Sequence, residues 1–282
     1  MSLLCYNVRK ILKGNKINMK LNELYENAYY SNEGGFLLNC NCVDGMKLIE
    51  DNIIDLTVTS PPYDNLRKYK GFSFDFENVA KELYRITKEG GTVVWIVGDQ
   101  TLNGSESGTS FRQALYFKEV GFNLHDTMIW KKTNPMPKVK TKRYFDVFEY
   151  MFIFTKGKPN TFNPIMQQCK LGGKIYNSTC KNIGGENGRT QKTFVLNNER
   201  YKDNIWEIAI AQNKTSHPAV FPEQLANDHI ISWSNEGDII FDPFMGSGTT
   251  AKMAQILNRR WIGIELSEEY CKIIKDRLEN IE

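Results

Sequence analysis

Residues 238–249, Asp-Ile-Ile-Phe-Asp-Pro-Phe-Met-Gly-Ser-Gly-Thr, constrain this chain more than any other stretch: a short apolar strand runs into a glycine turn that opens a helix. Glycines in such a turn let the backbone approach a ligand closely and leave N–H groups at the helix start. Two phosphate-binding versions of the arrangement do not fit. A P-loop needs Lys after its final glycine, where this chain has Thr249, and the three-glycine spacing of the dinucleotide fingerprint is absent. A ligand without phosphates suits the turn better. The next apolar run, Trp261-Ile-Gly-Ile-Glu, ends at Glu265, where doubly wound folds place the acid that accepts hydrogen bonds from both ribose hydroxyls. Taken singly, the turn and the strand-end acid also read as structural features. At the spacing of one strand-helix-strand unit, the pair reads as a nucleoside site.

The rest of the chain keeps an α/β rhythm. Strands are expected at 36–39, 55–59 and 92–97, and helices at 44–50, 76–88 and 110–120. The run 92–97 is apolar almost throughout and follows a Gly90-Gly91 helix stop, as in strands buried on both faces of a parallel sheet. Two β-rich runs, 126–130 and 147–154, flank a Pro-containing loop and suggest an antiparallel pair at a sheet edge. After residue 205 come helix 221–232, strand 239–241, helix 249–258, strand 261–265 and helix 267–280. The expected class is a doubly wound, mostly parallel sheet with an antiparallel edge hairpin.

The stretch 156–204 differs in kind, being rich in Gly, Asn, Lys and Thr with weak periodicity. It reads as an insert, either a surface excursion or a functional loop, since long structureless loops in compact domains are uncommon and often functional. The expected organisation is an N-terminal extension at 1–34, two halves of one domain at 35–155 and 205–282, and the insert between them.

Charge is informative by position. The net value of +3 decides nothing, but 131–143 carries Lys131, Lys132, Lys138, Lys140, Lys142 and Arg143 with no acid. Within 155–203, nine basic residues, Lys174 and Arg189 among them, face only Glu186, Glu199 and Asp203. Such blocks are commonly solvated surface, yet together they could supply the phosphate contacts that dominate nucleic-acid affinity. The six cysteines include no C-x-x-C pair and the three histidines are scattered, so no metal site is expected. No stretch approaches the ~18 uninterrupted apolar residues of a membrane span, and the basic start lacks a signal-peptide core; a cytoplasmic protein is expected.

Thr59-Ser60-Pro61-Pro62-Tyr63 closes the strand 55–59. Two prolines cannot continue a sheet ladder and form a rigid exit at the strand's carboxyl end, where α/β ligand sites form. A plain strand stop with a packing Tyr is the competing reading. Chemistry gives the rigidity a use. An exocyclic base amine is a weak nucleophile because its lone pair is delocalised into the ring. If Ser60 Oγ and the Pro61 carbonyl accept its two N–H bonds, the lone pair turns toward an incoming methyl group. Tyr63 offers a stacking face for a base flipped from the duplex.

On these motifs the chain resembles the β-class of DNA amino-methyltransferases, over 36–278 apart from the insert. The segment Asp242-Pro243-Phe244-Met-Gly246-Ser247-Gly248-Thr249 is similar to the family's S-adenosylmethionine loop, and Glu265 ends its ribose-binding strand. His217-Pro218-Ala-Val-Phe221-Pro is similar to the segment lining the methionine end, with Phe221 where members often carry Lys. Where members often have Gly-Asp near the cofactor adenine, this chain has Cys40-Asn41, so Asn41, with Cys42 beside it, takes that place. The order of catalytic motif, variable insert and cofactor loop assigns the class and implies a circularly permuted Rossmann-like fold. The resemblance implies base flipping on double-stranded DNA, with the insert and Lys138, Lys140, Lys142, Arg143, Lys174 and Arg189 on the DNA side. Ser in the tetrad leans toward N4 of cytosine over N6 of adenine. A homodimer and a restriction endonuclease counterpart remain open.

Three rivals are weighed against this expectation. C5-cytosine methylation needs a thiolate, usually from a Pro-Cys pair, and the chain has none. An RNA or protein amide N-methyltransferase would share the amide-orienting prolines but not the large basic insert. A non-enzymatic DNA-binding module would need neither the glycine turn nor Glu265.

Overall fold

The computed structural model describes residues 21–62, 74–135, 142–181, 189–210 and 222–281. The chain divides into a larger unit, Met1–Asn163 with Asn204–Glu282, and a smaller one, Pro164–Asp203. Among the described residues, the larger unit starts with helix α1 (Leu21–Glu26), strands β1 (Tyr30–Asn32) and β2 (Gly35–Asn39), helix α2 (Cys42–Met46) and strand β3 (Ile54–Thr59). Helix α3 (Phe76–Ile86), strand β4 (Thr87–Val97), the short pair β5 (Thr101–Leu102) and β6 (Ser105–Glu106), and helix α4 (Thr109–Val120) follow. Strands β7 (Asn123–Lys132) and β8 (Phe148–Thr155) complete this half.

The smaller unit contains two antiparallel pairs. Strand β9 (Met166–Gln168) pairs with β12 (Glu199–Tyr201), and β10 (Ile175–Lys181) pairs with β11 (Arg189–Val195) as a seven-residue ribbon. The smaller unit begins at Pro164, inside the stretch 156–204 expected as the insert. Residues 156–163 stay with the larger unit through backbone bonds from Lys156 N–H to Gly91 O, Asn160 N–H to Gly90 O and Asn163 N–H to Ser232 O.

The larger unit resumes with β13 (Ile205–Ile208), α5 (Glu223–Trp233), β14 (Ile239–Asp242), α6 (Thr249–Ile256), β15 (Arg260–Glu265) and α7 (Glu268–Glu279). Its nine strands form one sheet in the order β1-β2-β15-β14-β3-β4-β8-β7-β13. The centre, from β2 to β4, is parallel, and β8 runs antiparallel to both β4 and β7. The apolar runs of β3, β4, β14 and β15 are buried residue after residue, as expected of strands covered on both faces. Helix α3 turns Val79, Ala80, Leu83 and Ile86 inward at helical spacing, and Asp75 caps its first turn.

The antiparallel pair β7 and β8 is present, but it is not the edge of the sheet. Strand β13 pairs parallel to β7 and takes that place, with Trp206 and Ile208 buried. Four residues adjoining a weakly patterned insert carry too little periodicity to announce a strand.

The parallel strands set the position of the site. From β14 the chain crosses through α6 to β15 on one side; from β3 it crosses through α3 to β4 on the other. The two crossovers diverge between β14 and β3, so the carboxyl ends of those neighbours flank a topological switch point, where open α/β sheets bind ligands.

Candidate active site

Three of the motifs read from the sequence meet at this end of the sheet. Strand β3 delivers Thr59 and Ser60, β14 delivers Asp242, and β15 delivers Glu265. Asp242 is 1% exposed, and both of its carboxylate oxygens are hydrogen-bonded. Oδ1 accepts from Thr59 Oγ1 at 2.7 Å and from the Phe244 N–H at 3.0 Å, while Oδ2 accepts from Thr250 Oγ1 at 2.8 Å. The Thr59 contact ties the strand bearing the Ser-Pro-Pro sequence to the first residue of the glycine loop. Burial pushes the Asp242 pKa up to about 6 despite these three donors.

The loop turns at Gly246 and Gly248, both in the left-handed region, at φ 55° and 80°. It is pinned from two sides. The Gly246 N–H donates to Glu265 Oε2 at 2.8 Å, and the Met245 N–H donates to Ile264 O at 3.0 Å. Glu265 Oε1 accepts from the Ser267 N–H at 2.8 Å, so the acid bridges the loop and the start of α7. Asn39, at the carboxyl end of β2, holds this corner by donating to the carbonyls of Glu265 and Leu266.

Glu265 is only partly shielded from solvent, and burial lifts its pKa to about 7, against the backbone donors from Ser267 and Gly246. Backbone N–H groups of Gly246, Ser267 and Leu266 donate to this carboxylate, which has about four acceptor positions and so keeps room for a further donor. A partly buried carboxylate with acceptor capacity to spare, beside a glycine turn, fits a ligand that brings hydroxyl donors. A ribose diol has that chemistry.

The other expected cofactor residues have definite places. Pro243 is buried, and Phe244 packs edge-on against Phe74 with ring centroids 5.5 Å apart. The hydroxyls of Ser247 and Thr249 accept from Arg277 at 3.1 and 3.2 Å, which makes them part of the loop's support. Asn41 caps α2, its Oδ1 accepting from the Val43 N–H at 2.9 Å, so this oxygen already has a structural partner. Burial pushes the neighbouring Cys42 thiol up to about 12. Ser60 and Pro62 are half-buried and Pro61 is buried. Tyr63, His217, Pro218 and Phe221 lie outside the described residues.

Of the basic residues expected to face DNA, Lys142 and Lys174 are exposed. Arg143 pairs with Glu106 and donates to Gly104 O at 3.2 Å, joining its loop to the β5–β6 turn. Arg189 opens β11 opposite Lys181 in the backbone register of the ribbon. Lys138 and Lys140 lie outside the described residues. Among the described residues, no three His, Cys, Asp or Glu side chains form a group that could hold a metal ion, and no helix is long and apolar enough to cross a membrane.

Reading the sequence for ligand chemistry missed Thr250, Asn39 and Arg277 as parts of this site, and gave Thr59, within the Ser-Pro-Pro motif, no bond to Asp242. Thr59 and Asn39 carried a usable signal, being polar residues at the carboxyl ends of apolar strands. Thr250 and Arg277 sit on helices among other polar residues and gave none.

A family model described as DNA methylase, for N6 and N4 methyltransferases, matches residues 54–276. The orphan methyltransferase M.BamHII of Bacillus amyloliquefaciens is 56% identical over 242 residues, covering 82% of this chain and 91% of the relative. The type II methyltransferase M.HpaI of Haemophilus parainfluenzae is 29% identical, covering 86% of this chain and 74% of the relative. Among solved structures, the cytosine-N4-specific PvuII DNA methyltransferase superposes with a TM-score of 0.66 at 20% identity, covering 90% of each chain. The complex of M1.HpyAVI with SAM superposes at 0.57 with 23% identity, covering 86% of this chain and all of the other.

Proposed function

Since this chain belongs to the DNA methylase family of amino-methyltransferases, we propose that it methylates N4 of cytosine in double-stranded DNA with S-adenosylmethionine as methyl donor. The observation that carries this reading is the hydrogen bond from Thr59 to Asp242 across the switch point. It couples the Ser-Pro-Pro strand end to the glycine loop, as a reaction between a base held by one and a cofactor held by the other requires.

In this reading Glu265 accepts the ribose hydroxyls, and the backbone at Gly246 and Gly248 allows close approach. The negative charge of Asp242, at the same end of the sheet, would favour a cationic cofactor. When bound, the cofactor supplies an electrophilic methyl group. Ser60 Oγ and the Pro61 carbonyl accept the N–H bonds of the target amine and aim its lone pair, while Tyr63 stacks on the flipped base. Ser60 is neutral, so it orients the amine and does not take up its proton. Lys138, Lys140, Lys142, Lys174 and Arg189 are proposed to meet phosphates, and the smaller unit is the target-recognition insert.

Cytosine is favoured by Ser60, because the family's adenine enzymes more often carry Asp there. The orphan status named for the 56% identical relative favours a methylase without an endonuclease counterpart. Expressing the chain in a host that lacks DNA methylases and sequencing plasmid DNA for modified bases tests the reading. We expect N4-methylcytosine at one short recurring sequence. N6-methyladenine in its place would move the target base, and unmodified DNA with methylated RNA or protein glutamine would overturn the assignment.

A further inference from the structure

A charged network drawn from three helices supports the glycine loop. Arg277 projects from α7, and its Nη1 donates to Ser247 O at 2.9 Å, Ser247 Oγ at 3.1 Å and Thr249 Oγ1 at 3.2 Å. Its Nη2 donates to Glu223 Oε1 at 2.6 Å. The same Glu223 oxygen accepts from Lys252 Nζ, on α6, at 2.8 Å. Glu223 is the first residue of α5, directly after Pro222. One guanidinium thus grips the loop at a backbone carbonyl and two hydroxyls while a carboxylate from another helix holds the guanidinium. Ile274, one turn earlier on α7, closes the space under Gly248, where an added Cβ would come within 3.2 Å.

We propose that Arg277 is a positioning residue for the cofactor loop: with Glu223 as its anchor, it fixes the Ser247-Gly248-Thr249 turn so that the loop is shaped for S-adenosylmethionine before the cofactor arrives. The inference rests on the cofactor site proposed above. Arg277 lies just beyond the 54–276 match to the family model, and it is built for the task. A planar guanidinium spans several acceptors in a fixed geometry, whereas a Lys ammonium is a point charge on a flexible stem. Because the loop is ordered in advance, less of the cofactor's binding free energy is lost to ordering it.

Arg277→Lys separates this role from general stability. Equilibrium binding of S-adenosylmethionine to the full chain is measured for wild type, Arg277→Lys, Glu223→Gln and Leu278→Ala, together with thermal midpoints. Leu278 is buried on the same helix and serves as a destabilised comparator that leaves the network intact. We expect Arg277→Lys to weaken cofactor binding about tenfold, the loss typical of a hydrogen bond to a charged group. Glu223→Gln should weaken it in the same direction, and Leu278→Ala should lower the midpoint with little change in affinity. In steady-state assays, the KM for cofactor should rise in Arg277→Lys while the KM for DNA and kcat at saturating cofactor stay near wild type. Equal cofactor affinity in wild type and Arg277→Lys overturns the proposal alone, as does an affinity loss matched by Leu278→Ala at equal destabilisation. A wild-type chain that binds no S-adenosylmethionine overturns the cofactor site and the proposal with it.

Discussion

Asp242→Asn should make the protein more stable at pH 8, although it changes a residue of the proposed site. The carboxylate is 1% exposed, and burial outweighs its three donors, leaving its pKa at about 6 against an ordinary 3.8. A raised pKa means that the folded state binds the proton more tightly than the unfolded chain. The resulting stabilisation is present below 3.8 and lost as the pH rises through about 6. At pH 8 the native protein therefore carries the whole cost of the buried charge, about 3 kcal/mol for a shift of this size. Asn can keep these three contacts, with its second Nδ2 hydrogen left unpaired, which offsets part of the gain. Its Oδ1 can accept from Thr59 Oγ1 and the Phe244 N–H, and its Nδ2 can donate to Thr250 Oγ1, whose own proton then goes to Val58 O, 3.2 Å away. Urea unfolding followed at pH 8 and at pH 4 measures the difference. The variant should be more stable by up to about 3 kcal/mol at pH 8, with the gap closing toward pH 4. A variant that is less stable than wild type at pH 8, or a gap that ignores pH, would refute the reasoning. The same variant should bind S-adenosylmethionine more weakly, because the cofactor proposed for this site is a cation and the variant removes a nearby negative charge.

Gly35→Ala should cost about 1 to 3 kcal/mol, the usual penalty for overpacking, because an added Cβ would lie 1.9 Å from the Trp261 carbonyl oxygen and force β2 off β15; unchanged denaturant stability would contradict this. Cofactor affinity should fall as the pH drops below about 7, where Glu265 takes up a proton and loses acceptor capacity; calorimetric titrations at pH 6 and pH 8 that agree would count against its ribose role. Neutralising Lys138, Lys140 and Lys142 together should flatten the salt dependence of DNA affinity by up to about 3 units if all three meet phosphates; an unchanged slope would move the DNA face away from this loop.

Strong local pattern made much of this molecule legible in the sequence. The apolar strand running into Gly246 and Gly248, and the strand ending at Glu265, stand where the sequence put them. Long-range partnership was not legible. Asp242 reads as a ligand contact, yet its oxygens are occupied by Thr59, 183 residues away, and by Phe244 and Thr250 close by. Asn41, expected beside the cofactor, also caps α2 through its side-chain oxygen, a role its sequence context did not announce. Strand β13 was hidden because four residues cannot display a period against a polar insert. Arg277 looked like ordinary surface charge on an amphipathic helix, since only the folded chain brings Ser247, Thr249 and Glu223 around it.

Single-turnover methylation by Ser60→Ala at saturating cofactor tests most directly whether the Ser-Pro-Pro strand end orients the target amine. Deleting one preorganised hydrogen-bond partner should slow methyl transfer by about 100- to 1000-fold while leaving cofactor and DNA binding nearly intact. Transfer at the wild-type rate would mean that the prolines only end a strand and that the chemistry is performed elsewhere.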